Sequence, residues 1–356
     1  MNPVLRKRSS LWQQLLARPP GVLALGLLGF LYLCALFAPF LAPYGPGDQD
    51  LQRTYHPPTG LTWTQEGLAV RLYENADPTQ ALYRPIPGKT AAIQWFPGGH
   101  SYRLFGLLPC RRHLFGVEPP HKVYLLGSDS TGRDVFSRLL YGAQVSLSIG
   151  LIGISISLGV GLIAGGLAGY FGGWFDSLVM RTTELLMAIP GLYLLLALRG
   201  AFASQFGSGE VYLLIVVILS FLGWSGAARV IRGLALSLRA QTFVEAAIVT
   251  GLSPWRILWR HLLPNLASYL LVAAALSIPG YILGEAALSF LGIGIQEPSA
   301  SWGLMLAQAQ EMKVFMCNFW WLLTPGAAVF VTVAAFNLLG DTLRDVIDPH
   351  FRTGSR

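Results

Sequence analysis

Long apolar runs alternate with shorter polar segments along this chain, and the runs set its organisation. Six runs have about the length of ~20 residues that a helix needs to cross a bilayer. They occupy residues 21–41, 143–169, 179–198, 211–226, 266–283 and 322–339. This pattern predicts an all-α polytopic membrane protein with six transmembrane helices.

Two of the runs carry residues that change the expected helix geometry. Small residues allow close helix approach in lipid, and in the second run four glycines recur at near-fourfold spacing: Gly153, Gly161, Gly165 and Gly169. In the third run, Pro190 predicts a kink, and Arg181 and Glu184 are spaced to pair on one face. We therefore expect one tightly packed helix and one bent helix.

The charge content agrees with a membrane protein. Only 12% of the 356 residues are charged, against about 25% in soluble domains. The net charge of +7 could suggest nucleic-acid binding, but basic loops facing the cytoplasm explain it more simply. Arg6, Lys7 and Arg8 precede the first run and favour a cytoplasmic N-terminus. We interpret that run as a retained span, because the apolar region of a signal peptide has only about 7–15 residues.

Residues 43–127 differ in character, being rich in Pro, Gly, Trp, Tyr and charge. Segments 68–73, 91–96 and 101–105 have strand-like composition, and Pro97-Gly98-Gly99 is a turn signal. These features predict a small β-rich extracytoplasmic insertion. Gly88-Lys89-Thr90 matches the tail of a phosphate-binding loop, but Tyr83 stands where its leading glycine should be. We therefore expect no ATP site in this chain.

A polar segment at 241–264 separates two very apolar runs. It predicts a helix from about Thr242, a break at Gly251, and a second helix from Ser253-Pro254 that Pro264 ends. Arginines crowd into the segment and its approach: Arg229, Arg232, Arg239, Arg256 and Arg260. Spacing alone would favour a solvated loop, and a docking element is the alternative.

The residues of this segment resemble the cytoplasmic EAA signature of ABC-importer permeases. The matching positions are Glu245, Ala246, Ala247, Gly251, Leu263 and Pro264. His261 stands where the general pattern often has isoleucine, although residues 260–265 look like the dipeptide/oligopeptide/nickel branch. Further segments similar to that branch follow in the right order, at 126–138, 284–292, 298–303 and 340–345. The long loop at 50–125 departs from the short connection usual in the branch.

The resemblance implies a permease subunit of an ATP-driven importer for di- or oligopeptides, with the fold of a type I ABC importer permease. It implies a homologous second permease subunit, two ATP-binding cassette subunits, an extracytoplasmic solute-binding protein and the lipid bilayer as partners, and no nucleic acid. The residues expected to couple the chain to the ATPase are Glu245, Ala246, Ala247, Gly251, Arg256, Leu263 and Pro264. No catalytic residue, metal site or cofactor is expected, and the cavity-lining residues are not predicted.

The expected layout places both termini in the cytoplasm of a multi-pass inner-membrane protein. Its parts are a cytoplasmic segment at 1–20, a first span at 21–42, the extracytoplasmic loop at 43–127, a five-helix core at 128–345 that contains the 241–264 segment, and a cytoplasmic tail at 346–356. Residues 126–138 suit an interfacial helix. Glu285 near a membrane boundary suits either a functional intramembrane acid or a structural one.

Two other classes are weighed against the importer. A secondary transporter would carry inverted repeats and midplane polar sites, and no repeat is evident. A membrane-embedded enzyme needs a catalytic set, but His56, His100, His113 and His121 lack ligand-like spacing and suit ordinary surface residues. Three scattered cysteines, Cys34, Cys110 and Cys317, do not form a disulfide framework, and a Cys110–Cys317 bridge stays open.

Overall fold

The structure is a computed structural model that describes residues 11–65, 67–77, 80–202 and 208–347. The basic residues before position 11, predicted to be cytoplasmic, and the predicted cytoplasmic tail from position 348 lie outside the described residues. Thirteen α-helices occur in the described part. They are α1 (Leu11–Leu16), α2 (Pro19–Leu36), α3 (Ala38–Leu41), α4 (Val135–Phe171), α5 (Gly173–Ala188), α6 (Gly191–Phe202), α7 (Ser208–Arg239), α8 (Thr242–Val249), α9 (Pro254–Ile257), α10 (Leu263–Phe290), α11 (Trp302–Gln308), α12 (Met312–Met316) and α13 (Thr324–Ile347).

Five helical stretches in the described part of the chain are long and apolar enough to cross a membrane. They are Pro19–Leu36, Val135–Phe171, Gly209–Arg239, Pro254–Phe290 and Trp320–Ile347. They correspond to the predicted first, second, fourth, fifth and sixth runs. The mostly helical, multi-pass architecture expected from the apolar pattern is therefore present.

The predicted third span is two helices and not one. α5 ends at Ala188, and α6 begins at Gly191. Between them Ile189 has an extended backbone, with φ −88° and ψ 124°. A residue that precedes proline is disfavoured in the helical region, because the Pro190 ring clashes with its backbone. The kink expected at Pro190 is thus a full interruption.

α4 and α7 pack side by side and run parallel. Near their starts, the Tyr212 hydroxyl donates to Ser148 Oγ at 2.9 Å. Near their ends, a Cβ added at Gly169 would lie 2.6 Å from the carbonyl oxygen of Arg232. The glycines therefore allow the close approach expected from their spacing. Because α4 and α7 share one direction, α5 and α6 carry the chain back from the end of α4 to the start of α7.

α10 runs antiparallel to α4. Ser146 Oγ, near the start of α4, donates to the buried Glu285 carboxylate at 3.0 Å, near the end of α10. A Cβ added at Gly166, near the end of α4, would lie 3.8 Å from the Leu263 side chain at the start of α10. The start of α10 and the end of α4 therefore lie at the same end of the molecule.

Six strands occupy part of the region between α3 and α4. They are β1 (Leu61–Thr64), β2 (Gly67–Asp77), β3 (Leu82–Trp95), β4 (Gly98–Leu104), β5 (Leu108–Arg112) and β6 (Phe115–Val117). An antiparallel sheet has the order β1-β2-β3-β6, and β4 and β5 form a separate hairpin. The segment expected to be a strand at 68–73 lies in β2, and those expected at 91–96 and 101–105 lie in β3 and β4 except for their last residues, Phe96 and Phe105. Gly98 and Gly99, expected in a turn, belong to β4.

The sheets and the 241–264 segment lie at opposite ends of α4. At the start of α4, the Phe136 ring lies 6.0 Å from that of Phe115 in β6. At its end, Tyr170 belongs to a buried cluster with Val244 of α8. The Arg18–Asp345 ion pair, at 3.1 Å, joins the start of α2 to the end of α13. The fold therefore has a strand-bearing end and a helical end.

Candidate functional site

The first helix of the 241–264 segment ends where the sequence places the break. Gly251 has φ +74°, a conformation that glycine adopts at low cost. The Gly251 N–H donates to the Ile248 carbonyl at 2.9 Å, and the Leu252 N–H donates to the Ala247 carbonyl at 3.1 Å. This pair of hydrogen bonds is the Schellman motif, which satisfies carbonyls at a helix end. The turn after α8 is therefore fixed by its backbone.

The second helix begins as expected but does not end at Pro264. Pro254 takes the first helical position after Ser253, whose hydroxyl makes no capping hydrogen bond. α9 then continues through a π-helical turn, Leu258–Leu262, directly into α10. The expectation that Pro264 ends the helix was wrong. Pro264 instead lies in the first turn of α10, inside one helical run that continues to Phe290.

The π-helical turn explains how the chain tolerates Pro264. Proline has no N–H, and its ring would clash with the carbonyl of the preceding turn. In the widened turn the Leu263 N–H donates to the Leu258 carbonyl, five residues back. The Asn265 side-chain amide also donates to the His261 carbonyl, at 2.6 Å. The wide turn thus joins the polar segment rigidly to a spanning helix.

Apolar side chains on one side of the segment anchor it to the core helices. Val244 and Ala247 of α8 are buried against Tyr170 and Ala235, which lie near the ends of α4 and α7. The same cluster contains residues of the second helix: Ile257, Leu258 and Leu262. Ala247 is only 6% exposed, so it contributes to this packing and not to an outer surface. Leu263, also expected to contribute to coupling, is half-buried beside the same cluster.

The opposite side of α8 is open. We call this the α8 exposed face; its residues are Phe243, Glu245, Ala246, Ile248 and Val249. Val249 is 86% exposed, which is unusual for a valine on a packed helix. Gly251, Arg256 and Pro264 are also exposed. A charged group surrounded by exposed apolar side chains is suited to a protein partner.

Two arginines near the segment have structural partners. The Arg239 guanidinium donates to the Tyr170 carbonyl at 2.7 Å and lies 5.7 Å from the centre of that ring. Arg232 Nε donates to Asp176 Oδ1 at 2.9 Å, and a second guanidinium nitrogen donates to Oδ2. Part of the predicted arginine cluster therefore braces the ends of α4, α5 and α7.

At the strand-bearing end, residues 126–134 form a loop, so the interfacial helix expected over 126–138 is wrong for that part and α4 begins only at Val135. The Asp129 carboxylate accepts from the backbone N–H groups of Thr131 and Arg133, at 2.9 and 3.0 Å. A side chain that captures nearby N–H groups gives the backbone an alternative to helix formation. Asp134, the residue before α4, accepts from the Ser137 N–H at 2.8 Å and caps the helix that follows.

This loop contains a buried ion network that the sequence did not predict. Arg133 pairs with Asp129 at 2.7 Å and with Glu297 at 2.6 Å. Arg138, almost fully buried, pairs with Glu297 at 3.0 Å. Burial raises the pKa of Asp134 to about 7, and its Oδ1 has no hydrogen-bond partner among the described residues. Glu297 lies far along the chain, so no spacing pattern could have connected it to the arginines.

Glu285 is a structural centre at the same end. Its carboxylate accepts from Ser146 Oγ at 3.0 Å and from Ser289 Oγ at 2.7 Å. Ser289 Oγ in turn accepts from the Ile295 N–H, and Ser146 Oγ from the Trp302 N–H. Of the two interpretations of Glu285, these contacts favour the structural one. The carboxylate fastens the segment between α10 and α11 onto α4.

Two of the four histidines of the strand-bearing region differ from the expectation that they are surface residues, whereas His121 is exposed as expected and His100 is partly exposed. His56 and His113 are buried. Burial lowers the pKa of His56 to about 4. The described residues contain no group of three or more His, Cys, Asp or Glu that could hold a metal. Gly88-Lys89-Thr90 lies within β3, and the cysteines, including Cys110 and Cys317, are free.

Comparisons with known proteins match most of the chain outside the strands. Residues 159–353 match the family described as "Binding-protein-dependent transport system inner membrane component". Residues 9–58 match "N-terminal TM domain of oligopeptide transport permease C". Together they contain the first span and the 241–264 segment, and residues 59–158 lie between them.

Three curated relatives are similar at about the same level. The glutathione transport system permease protein GsiD of Pectobacterium atrosepticum is 39% identical over 66% of this chain and 76% of its own length. The oligopeptide transport system permease protein OppC of Haemophilus influenzae is 40% identical over 64% and 71%. The dipeptide transport system permease protein DppC of Bacillus subtilis is 39% identical over 66% and 71%. The resemblance drawn from the motifs is thus confirmed.

Proposed function

Because the chain belongs to the family of binding-protein-dependent transport system inner membrane components, we propose that it is the permease subunit of an ATP-driven ABC importer for di- or oligopeptides. The relatives are named for oligopeptide, dipeptide and glutathione transport. All three solutes contain peptide bonds, which supports this solute class. ATP hydrolysis then takes place on separate subunits.

The coupling role is supported by one observation: the α8 exposed face belongs to a helix whose other side is packed firmly against the core helices. Buried Val244 and Ala247 fix α8 to the core, while Glu245 and Val249 point outward. An ATPase that moves against this face would shift α8 as a body. The π-helical turn and Pro264 pass that movement into α10, since the helical run is unbroken. In this mechanism Glu245 makes a charge-assisted contact with the ATPase.

A second permease subunit would complete the pathway along α5. All of α5 is described, and Val179 and Thr183 are its buried residues. Its Arg181–Glu184 ion pair, at 2.9 Å, is exposed. Ionised side chains within a spanning segment avoid lipid and face protein or water. This pair therefore supports a position for α5 beside the second permease or the translocation pathway.

The parallel packing of α4 and α7 supports six crossings. α5 and α6 return the chain between them, and a Cβ added at Gly191 of α6 would lie 4.0 Å from the Leu222 side chain of α7. We assign the helical end to the cytoplasm, because the short connection between α8 and α10 at that end carries Arg256 and Arg260. Both termini lie at that end in this assignment, and the strand-bearing end is extracytoplasmic. There it would meet the solute-binding protein or cap the pathway.

A cross-linking experiment on the whole importer tests the proposal. The chain is coexpressed with the second permease and the ATPase subunits of the importer, and single cysteines replace Val249 or Ala247. Val249→Cys should cross-link to an ATPase subunit, and the matched Ala247→Cys, buried on the same helix, should not. Labelling of Val249→Cys only from outside intact cells would overturn the topology. Copurification without any ATPase subunit would overturn the importer assignment.

A further inference from the structure

The β4–β5 hairpin has a turn sequence unlike that of water-exposed hairpins. Phe105 and Gly106 have φ +54° and +72°, and the Leu107 N–H donates to the Leu104 carbonyl at 3.1 Å. These angles define a type I′ turn, in which Asn-Gly or Asp-Gly is favoured. Phenylalanine at a positive φ is strained. A large apolar side chain thus stands where a polar residue would be more stable.

The apolar character extends over the whole turn. We call residues 104–108 the hairpin tip. Phe105 is 48% exposed, Leu107 81% and Leu108 56%. Few monomeric proteins concentrate such side chains on a projecting turn, and such patches mark contacts with protein or membrane.

The position of the tip along the membrane normal follows from its contact with α2. α2 has 18 residues from Pro19 to Leu36, so it rises about 27 Å and nearly spans a hydrocarbon core of about 30 Å. Phe37 follows α2 directly, and its ring lies 5.5 Å from the Phe105 ring, edge to face. The hairpin tip therefore lies at the outer edge of the hydrocarbon core.

The surface that adjoins this contact is the open side of the first span. Leu33 and Leu36, on the last turn of α2 before Phe37, are exposed. Phe40 of α3 stacks on the exposed Phe96 at 6.2 Å, and Trp95 beside it is also exposed. The hairpin tip is thus continuous with an apolar and aromatic surface at the depth where aromatic residues anchor membrane proteins.

Positive charge lies just behind the tip. Arg103 precedes it on β4, Arg111 follows it on β5, and both are exposed. Guanidinium groups bind phosphate oxygens in a paired geometry. An apolar tip followed by basic residues matches the order of acyl chains and phosphates in a leaflet.

We propose that the hairpin tip inserts into the outer leaflet of the membrane beside the first span, with Arg103 and Arg111 binding phosphates of anionic lipids. The occupant of this surface is the bilayer itself. The strand-bearing region is already joined to the membrane through α3 and α4. The inserted tip is a further attachment, and it fixes the height of that region above the membrane. This role is independent of the solute and of the ATPase.

Spin-label depth measurement on the full chain tests the proposal. Cys34, Cys110 and Cys317 are replaced by alanine, and a nitroxide is attached to Leu107→Cys in nanodiscs of phosphatidylcholine and phosphatidylglycerol. Lys89→Cys, an exposed position on β3 in the other sheet, is the control. Frequent collisions of the label with dissolved oxygen indicate that it lies in lipid. Frequent collisions with a water-soluble nickel chelate indicate that it lies in water.

The expected result is that oxygen relaxes the Leu107 label more than the chelate does, and that the order is reversed at Lys89. Chelate collisions at Leu107 as frequent as at Lys89 would overturn insertion. Shielding from both reagents would also overturn it, because that result indicates a protein contact. Discs of phosphatidylcholine alone, which have phosphates but no net negative charge, should place the label nearer to water, and an unchanged depth would overturn the contact with anionic lipids.

Discussion

Arg232 of α7 holds Asp176 in the first turn of α5 through two hydrogen bonds, with Nε 2.9 Å from Oδ1. Both side chains are partly shielded from water. α5 has only two buried residues, so this pair is a principal contact that holds the start of α5 against α7. Asp176 also lies near the positive end of the α5 dipole, which adds to the stability of the carboxylate there.

Removing this tether should weaken the packing of α5 on α7. We expect Asp176→Ala to lower the free energy of unfolding by about 1–2 kcal/mol, since hydrogen bonds to charged groups contribute about 1.5–3 kcal/mol when buried. Thermal melting of the purified chain in detergent measures the change. Glu184→Ala, which breaks the exposed ion pair with Arg181, is the matched control and should change stability by at most about 0.5 kcal/mol.

The positive φ of Gly251 gives a second prediction. Valine at φ +74° is strained by about 1–3 kcal/mol, so Gly251→Val should distort the turn after α8 and misplace the α8 exposed face. ATP-driven dipeptide uptake into proteoliposomes should fall at least several-fold, while membrane insertion stays normal. Gly251→Asn should keep most of the uptake, because asparagine tolerates this conformation. Equal uptake by wild type and Gly251→Val would contradict the coupling role.

Acid should destabilise the strand-bearing region through His56. Burial lowers its pKa from 6.5 to about 4, so the folded region binds fewer protons than the unfolded one between these values. The stability that neutral His56 supplies is complete above pH about 6.5 and is lost as pH falls through about 4. The difference is worth about 3 kcal/mol. Hydrogen exchange of β2 and β3 between pH 7 and pH 4 measures it.

His56→Phe isolates this contribution from other acid effects. The ring should still pack near Tyr73, Tyr83 and Tyr124, whose centroids lie within about 5 Å of it. The variant should lose less stability than the wild type as pH falls. Parallel pH profiles for the two proteins would show that another group is responsible.

Local signals in the sequence explain which parts of the segment could be predicted. Glycine at 251 and Ser253-Pro254 are backbone signals, and the helix limits they predict agree with the structure within a residue or two. Pro264 also acts locally, but its effect depends on the preceding turn. The π-helical turn before it widens the helix, and no local propensity encodes the position of that turn.

Long-range features could not be predicted from one sequence. Apolar runs do not state which helices are neighbours, so the parallel contact of α4 with α7 was not expected. Glu297 reaches Arg133 and Arg138 only after the helices pack. Glu245 and Ala247 belong to the same motif, yet one is exposed and the other buried, because Ala247 lies on the side of α8 that faces Tyr170.

The hydrogen bonds of Glu285 give the last prediction. Glu285→Ala removes the acceptor shared by Ser146 and Ser289, whose hydroxyls also hold the backbone after α10. Each of the two buried hydroxyls then loses its acceptor, which should lower the free energy of unfolding by about 2–4 kcal/mol. We expect faster hydrogen exchange in residues 293–302 and a lower melting temperature. Glu285→Gln keeps an acceptor oxygen of nearly the same shape, so it should stay within about 1 kcal/mol of wild type if Glu285 is structural. If instead Glu285→Gln abolished peptide uptake without changing exchange or melting, its charge would have a role in transport.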